Sequence, residues 1–370
     1  MTEAVTLSPR EMMHSIIQRI ATGPELSKDI SLEEASQGTA GILRGEIDDV
    51  QAAIFFIALR MKRETDDENK GVLDAILKIS ESRVADVDEV VSLADPYDGI
   101  NRNLPVSPFI PPVLAACGLA TVSHGLDAVG PKFGVTHRHV LQACGIDVDM
   151  DLDRASARLS DEDCGWAYVD QRTFCPGLHD LIGLRQRIVK RQALTTVEVL
   201  AKPITGRKQT HLVTGYVHKP YPAKYASLAR FAGFEGCLLV RGTEGGVIPS
   251  LRQQGMVFRY LDGGEESPVE VNPQALGIDQ PVRAVPLPDE PSISSGGDEI
   301  ARITDVSKAA AHAAEIGIRA LEGEKGPAYD SLVYAAALIL WHTGRAENLN
   351  DAADQVRRIL DTGAARSRLR

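Results

Sequence analysis

The chain has 370 residues, 44% of them hydrophobic, and a formal net charge of -11 at neutral pH. That length can bury a large core and points to two domains or one large one. The acidic balance works against nucleic acid and membrane surfaces as general partners, because both are polyanionic.

Cys117, Cys144, Cys164, Cys175 and Cys237 are scattered, odd in number and free of Cys-x-x-Cys spacing. This argues against structural zinc or a disulfide framework and for a reducing compartment. The polar N-terminus shows no signal-peptide pattern, and there is no apolar run of about 18 residues that could span a membrane. A cytoplasmic protein without a membrane partner is expected.

The first 80 residues read as short helices, each with its own start signal. Ser8 and Glu11 form a capping box around Pro9, satisfying the orphan amides of a first turn. Met13, Ile16, Ile17 and Ile20 then mark one helical face, and Gly23 can end it. Ser31 with Glu34, Asp48 with Gln51, and Thr65 with Glu68 repeat the signal. Val50, Ile54, Ile57 and Met61 line the third helix; Val72, Ile76 and Ile79 line the fourth.

From about residue 95 helices alternate with short apolar runs. Ser107, before Pro108, reads as the N-cap of a helix that reaches Cys117 and stops at Gly118. Ala120–Val122 reads as a strand, and Thr136–Cys144 as a helix ended by Gly145. His211–Val217, Cys237–Val240 and Met256–Tyr260 are further strands, rich in β-branched and aromatic residues. Helices between strands require crossovers, hence a mostly parallel sheet, expected over about 118 to 270. Pro281–Gly297 is a connector rich in Pro, Ser and Gly, followed by two or three helices. The fold class is therefore α/β: a small N-terminal helical domain (1–80), then a large α/β domain (95–370) with a mostly parallel sheet and a helical C-terminal tail.

The tail Gly326–Leu349, continuing through Ala352, Ala353, Ile359, Asp361, Gly363 and Ala364, resembles the last two helices of the anthranilate phosphoribosyltransferases. Other pieces match in chain order. Ala58–Thr65 is similar to a family stretch that usually ends Lys-Gly-Glu-Thr, with Arg63 in place of its glycine. Ala115–Gly118, Ser123–Gly125 and Val140–Gly145 resemble the family's Cys-Gly, Lys-His-Gly-Asn and Val-Leu-Glu-Ala-Leu-Gly elements. The resemblance implies the glycosyltransferase family 3 (nucleoside phosphorylase class II) fold. It also implies that part of about 150–195 joins the helical domain, and that the protein is a homodimer paired through its N-terminal helices.

The departures lie where such proteins hold phosphoribosyl pyrophosphate and magnesium. The family's Gly-Thr-Gly-Gly-Asp turn corresponds to Asp95–Gly99, where Pro96 removes an amide donor, Tyr97 blocks close approach and two carboxylates repel phosphate. The family's Asn-x-Ser-Thr is reduced to Pro105–Pro108, and Ser123 replaces a lysine. Its adjacent Asp-Glu pair becomes Glu244 alone, leaving one weak magnesium candidate, since magnesium takes one or two carboxylates plus substrate phosphates.

Two cationic segments are expected to face an interdomain cleft at the strand ends. One carries His124, Gly125 and Lys132; the other runs from Arg185 to Arg191, whose guanidinium groups suit a planar carboxylate or phosphate. With Ser107 these are the candidate substrate-binding residues. A charged helix face, a structural histidine and a solvated loop carboxylate are the plainer readings of Arg185–Arg191, His124 and Glu244. No nucleophile–base pair is visible, and the catalytic residues are not assigned; transfer in this family relies on positioning and charge stabilisation. The expected function is a phosphoribosyltransferase-like protein that takes a phosphorylated ribose or other anion in the cleft, without the family's own anthranilate activity. The alternative is a non-catalytic binding protein on the same scaffold, with nucleic acid as one candidate ligand that the net charge disfavours.

Overall fold

The computed structural model describes residues 8–23, 25–288 and 305–370. Four helices open it: α1 (Pro9–Ile20), α2 (Leu32–Leu43), α3 (Asp49–Lys62) and α4 (Asp66–Ile79). Ser8, Ser31 and Thr65 each close a capping box with the glutamate three positions on. Asp48 caps α3 by accepting from the Val50 and Gln51 amides. These starts rest on contacts within one turn, which is why they are legible locally.

The face of α3 is a correction. Its buried residues are Ala52, Phe55, Phe56 and Leu59, whereas Val50, Ile54 and Met61 are exposed at 67%, 40% and 74%. The helix is apolar on two sides, so periodicity alone cannot say which side meets the core.

Two short strands, β1 (Arg83–Val84) and β5 (Ile204–Thr205), pair in parallel beside the main sheet. The main sheet contains β2 (Glu89–Ala94), β3 (Thr121–Gly125), β4 (Trp166–Asp170), β6 (Gln209–Gly215), β7 (Gly236–Val240), β8 (Gly255–Tyr260) and β9 (Ser267–Val271), in the order β4-β3-β2-β6-β7-β8-β9. Its first five members are parallel; β8 and β9 add antiparallel to β7. Val91 lies opposite both Thr121 and His211, so β2 is an interior strand with β3 and β6 as its neighbours.

The sheet thus begins at 89 rather than 118, and β2 and β4 were not expected from the sequence. Both are buried on both faces (β4 throughout). Such strands read as short apolar runs that periodicity cannot separate from buried helix.

Successive side chains serve two cores. Val90, Ala94, Val169, Leu212 and Leu239 pack with α1–α4. Val91, Leu93, Tyr168, Val213 and Leu238 pack with the C-terminal helices Val306–Leu321, Pro327–His342 and Leu349–Asp361. A fourth, short helix (Ala364–Arg368) follows them. The segment between β4 and β5 turns back onto the helical side, where Ile182–Ile188 touches α3 and Leu194–Val197 touches α4. Of the connector, only 281–288 falls within the described residues; the rest lies outside them.

Candidate functional site

The parallel strands end on one side of the sheet, and their following loops form one wall of a cleft, as open α/β sheets do. The loop after β2 supplies Pro96 and Asp98; that after β6 supplies Tyr216, Val217 and His218; that after β7 supplies Glu244 and Gly245. The opposite wall comes from the helical side, with Arg60 of α3 and Arg191, Gln192, Thr195, Thr196 and Val199. Tyr221 and Tyr225, one turn apart on the helix Tyr221–Phe231, close the end. The cleft encloses about 750 Å3 of empty space open to solvent.

Two backbone contacts set its charged residues in place. Ile100 and Val135 exchange amide hydrogen bonds of 2.9 and 2.8 Å, and the Gly134 amide donates to the Asp98 carbonyl at 2.9 Å. Gly99, at φ +78, lies so close that a Cβ there would stand 2.5 Å from the Gly134 carbonyl carbon. The loop carrying Lys132 is thereby tied to the loop carrying Asp98. At the end of β6, a Cβ on Gly215 would stand 2.0 Å from the Gly245 carbonyl oxygen. Only glycine lets the 243–246 turn rest there, which brings Glu244 (φ +54) to the same point.

The result is a compact charge cluster. Asp98, 1% exposed, accepts from Arg191 Nη2 at 2.7 Å, and the Lys132 ammonium stands 3.2 Å from its other oxygen. Lys132 Nζ is also 3.8 Å from Glu244 Oε2. Glu244 accepts the amides of Asn101 at 3.1 Å and Arg102 at 2.5 Å, and the side-chain amide of Asn103 at 3.3 Å.

The remaining candidates sit outside this cleft. Ser107 is buried and caps no helix. The helix Ile110–Ala116 is entered through the 3-10 turn Ser107–Phe109, and the hydroxyl donates instead to Asp95. His137 Nε2 lies 3.1 Å from both Asp95 Oδ2 and Ser107 Oγ, and the Val247 amide donates to Asp95 at 2.9 Å. Burial opposes ionisation of Asp95, but the bonds from His137, Ser107 and Val247 outweigh it and hold the carboxyl below its ordinary range. This cluster is no nucleophile–base relay, because the serine proton is held by the carboxylate itself and His137 Nδ1 has no partner.

His124 is equally enclosed. Its Nε2 meets Ser92 Oγ at 3.1 Å and its Nδ1 meets the Tyr97 hydroxyl. Burial first, and His137 second, push it down to about 3, so it is a neutral structural ring. Gly125 ends β3 beside the Tyr168 hydroxyl. Arg185 is 2% exposed and holds Glu198 through two bonds of 2.7 and 2.8 Å. Arg187 pairs with Asp49 at the surface.

Of the substrate-binding candidates, the cleft therefore receives Lys132 and Arg191, not Ser107, His124, Gly125 or Arg185. The sequence reading missed Arg60, Thr195, Thr196 and the three tyrosines. The only local signal was Tyr221 and Tyr225 at helical spacing after a strand, which reads equally as core.

Glu244 was the magnesium candidate, and its surroundings do not fit that ion. Its oxygens already take three N–H donors, and an ammonium approaches one of them. Among the described residues no group of three or more His, Cys, Asp or Glu could hold a metal ion. No helix among them is long and apolar enough to cross a membrane.

Comparison with known proteins agrees with this architecture. Residues 14–79 match the helical bundle domain of a glycosyl transferase family. An uncharacterised protein of Aquifex aeolicus is 26% identical over 89% of this chain and 93% of its own length. An anthranilate phosphoribosyltransferase of Rhodopseudomonas palustris is 25% identical over 96% of each chain. Among solved structures, the anthranilate phosphoribosyltransferase of Thermus thermophilus superimposes with a TM-score of 0.72 at 19% identity, covering 97% of each chain. The enzyme of Saccharomyces cerevisiae in complex with PRPP and Mg gives 0.74 at 15%, covering 96% of this chain and 95% of that one.

Proposed function

We propose that this chain, whose fold is the anthranilate phosphoribosyltransferase-like fold of glycosyltransferase family 3, takes a phosphorylated ribose or another small anion in the cleft between its helical and α/β parts. One observation carries the reading. Arg60, Lys132 and Arg191 converge on a cleft that also presents Tyr216, Tyr221 and Tyr225. Cations meet the anionic group, and tyrosines offer apolar faces with polar edges to the remainder of the ligand. Three lining cations against the two lining carboxylates, Asp98 and Glu244, leave a local excess of one positive charge (3 − 2 = 1), although the chain as a whole is acidic.

The same geometry speaks against the family's own anthranilate reaction. Asp95 and Asp98 stand in the turn where the resemblance expects glycines, and their carboxylates engage Ser107, His137, Arg191 and Lys132. A pyrophosphate placed there would meet anions rather than free donors. This favours, as second reading, a binding protein without turnover; oligonucleotides are then the control ligand, disfavoured by the net charge of -11.

The exposed Val50, Ile54 and Met61 of α3 support a homodimer closed through the N-terminal helices, since an apolar stripe of this kind is commonly covered by a partner.

The test is thermal unfolding with ribose 5-phosphate, phosphoribosyl pyrophosphate and a short oligonucleotide at fixed salt. Ligand at about 100 times its Kd adds about 2.7 kcal/mol of stability, which a melting curve resolves. A shift with the sugar phosphates that Arg191→Ala removes is expected. No shift with either, or a shift with the oligonucleotide alone, rejects the reading.

A further inference from the structure

Magnesium fits poorly beside Glu244, and the geometry shows what stands in its stead. The Lys132 ammonium lies 3.2 Å from Asp98 and 3.8 Å from Glu244, bridging two carboxylates that come from different loops. Asp98 is almost fully buried and Lys132 only 18% exposed, so the ammonium is partly withdrawn from water. The loops are fixed by the Asp98–Gly134 and Ile100–Val135 backbone bonds. The lysine is thus presented by a built scaffold rather than by a free chain end.

We infer that Lys132 is the resident cation of the cleft: it stands between Asp98 and Glu244, the two carboxylates of the cleft, and so makes anion uptake independent of magnesium. The deduction is electrostatic. Two carboxylates brought together need positive charge between them, and here Lys132 supplies it while Arg191 balances the buried side of Asp98. A divalent ion added to the same space would lie within a few ångströms of the ammonium, where like-charge repulsion is large. A magnesium site built from protein carboxylates and substrate phosphate relies on one or two free carboxylates. Here both carboxylates are already engaged, Glu244 by the amides of Asn101 and Arg102 as well. An ammonium also offers three donors and can keep one for an incoming oxyanion.

This inference rests on the proposed anion site for its ligand but not for its test, which reads the metal directly. Manganese is the probe, followed as loss of the free-ion electron paramagnetic resonance signal on titrating protein. The wild type should bind no manganese at submillimolar concentration. Lys132→Met, which keeps the alkyl stem, and Lys132→Ala should each gain a site at least about tenfold tighter, because the ammonium that fills the space between Asp98 and Glu244 and repels a second cation there is then gone. Adding Glu244→Gln to either variant should abolish the gain. A second arm follows ribose 5-phosphate by melting shift. The wild-type shift should be the same in magnesium and in chelator, and that of Lys132→Met should appear only with magnesium.

Tight manganese binding by the wild type, or failure of both lysine variants to gain a site while remaining folded, overturns the inference. If the manganese arm succeeds and no anion binds any form, the resident-cation role stands and the proposed ligand falls.

Discussion

Arg185 and Arg191 belong to one cationic segment, and each holds a buried carboxylate, yet they do different work. Arg185 and Glu198 have side chains 1% and 0% exposed and meet through two bonds. Arg191 is half exposed, makes one bond to Asp98 and shares that carboxylate with Lys132. Burial of both partners turns the first pair into an internal brace between the turns of the 171–200 segment. Exposure of one partner leaves the second with a face toward the cleft. The same residue types at similar spacing therefore give a structural pair and a binding candidate, and water access separates the two roles.

The sharpest way to break this comparison is Arg185→Leu, which strands Glu198 as a buried charge. A stability loss of about 3–5 kcal/mol is expected in urea unfolding, and Arg185→Leu with Glu198→Leu should recover most of it. A single-variant loss below about 1 kcal/mol, as for a surface pair, would place Arg185 with Arg191 after all.

His124, on β3, gives the next test. His124 has a native value of about 3 against an ordinary 6.5, because burial penalises its charged form. The unfolded chain takes up the proton first as pH falls. Stability should therefore be constant above 6.5 with respect to this group and decline below it, by about 1.4 kcal/mol per pH unit until the native value is reached. Denaturant midpoints from pH 7 to 5 should show the decline, and His124→Asn should flatten that part of it. An unchanged slope would mean that the ring is not held neutral by burial in the native protein.

Arg191→Ala should act on ligand more than on fold. Affinity for ribose 5-phosphate by calorimetry should drop by about 1–3 kcal/mol, the value of a charge-assisted bond, with stability altered by at most about 1 kcal/mol, since Lys132 remains on Asp98. If the melting temperature falls sharply and affinity is untouched, Arg191 joins Arg185 as a brace.

The smallest thermodynamic effect is expected at α3. Met61→Glu should leave monomer stability within about 0.5 kcal/mol but dissociate the proposed dimer, read by sedimentation velocity. A wild-type species of 39.9 kDa at micromolar concentration would refute the dimer outright.

The C-terminal helices and the helix caps were the most readable parts, for different reasons. Ser8, Ser31, Asp48 and Thr65 act within one turn, so their chemistry is written in adjacent residues. The tail Pro327–His342 is buried almost throughout and carries its pattern because nearly every side must pack; that pattern marks the fold and lies on the sheet face opposite the helical domain. The interior strand β2 went unread because burial on both faces removes the alternation that marks a strand. In the cleft, Lys132 and Arg191 were legible as members of two cationic segments. Arg60 was not, since it ends a helix whose inward face could not be told from its outward one.

By itself the sequence determined the starts of α1–α4, the parallel α/β character and the list of charged residues available for a site. Tertiary structure alone decided which of those charges keep contact with water. Arg185 and Arg191 come from one cationic segment, and His124 and Lys132 from another. What separates them is the distance to Glu198, Asp98 and Glu244, groups brought close by packing across loops far apart in the chain. Electrostatic roles depend on burial and on such long-range neighbours, and neither is encoded in the few residues around a charge.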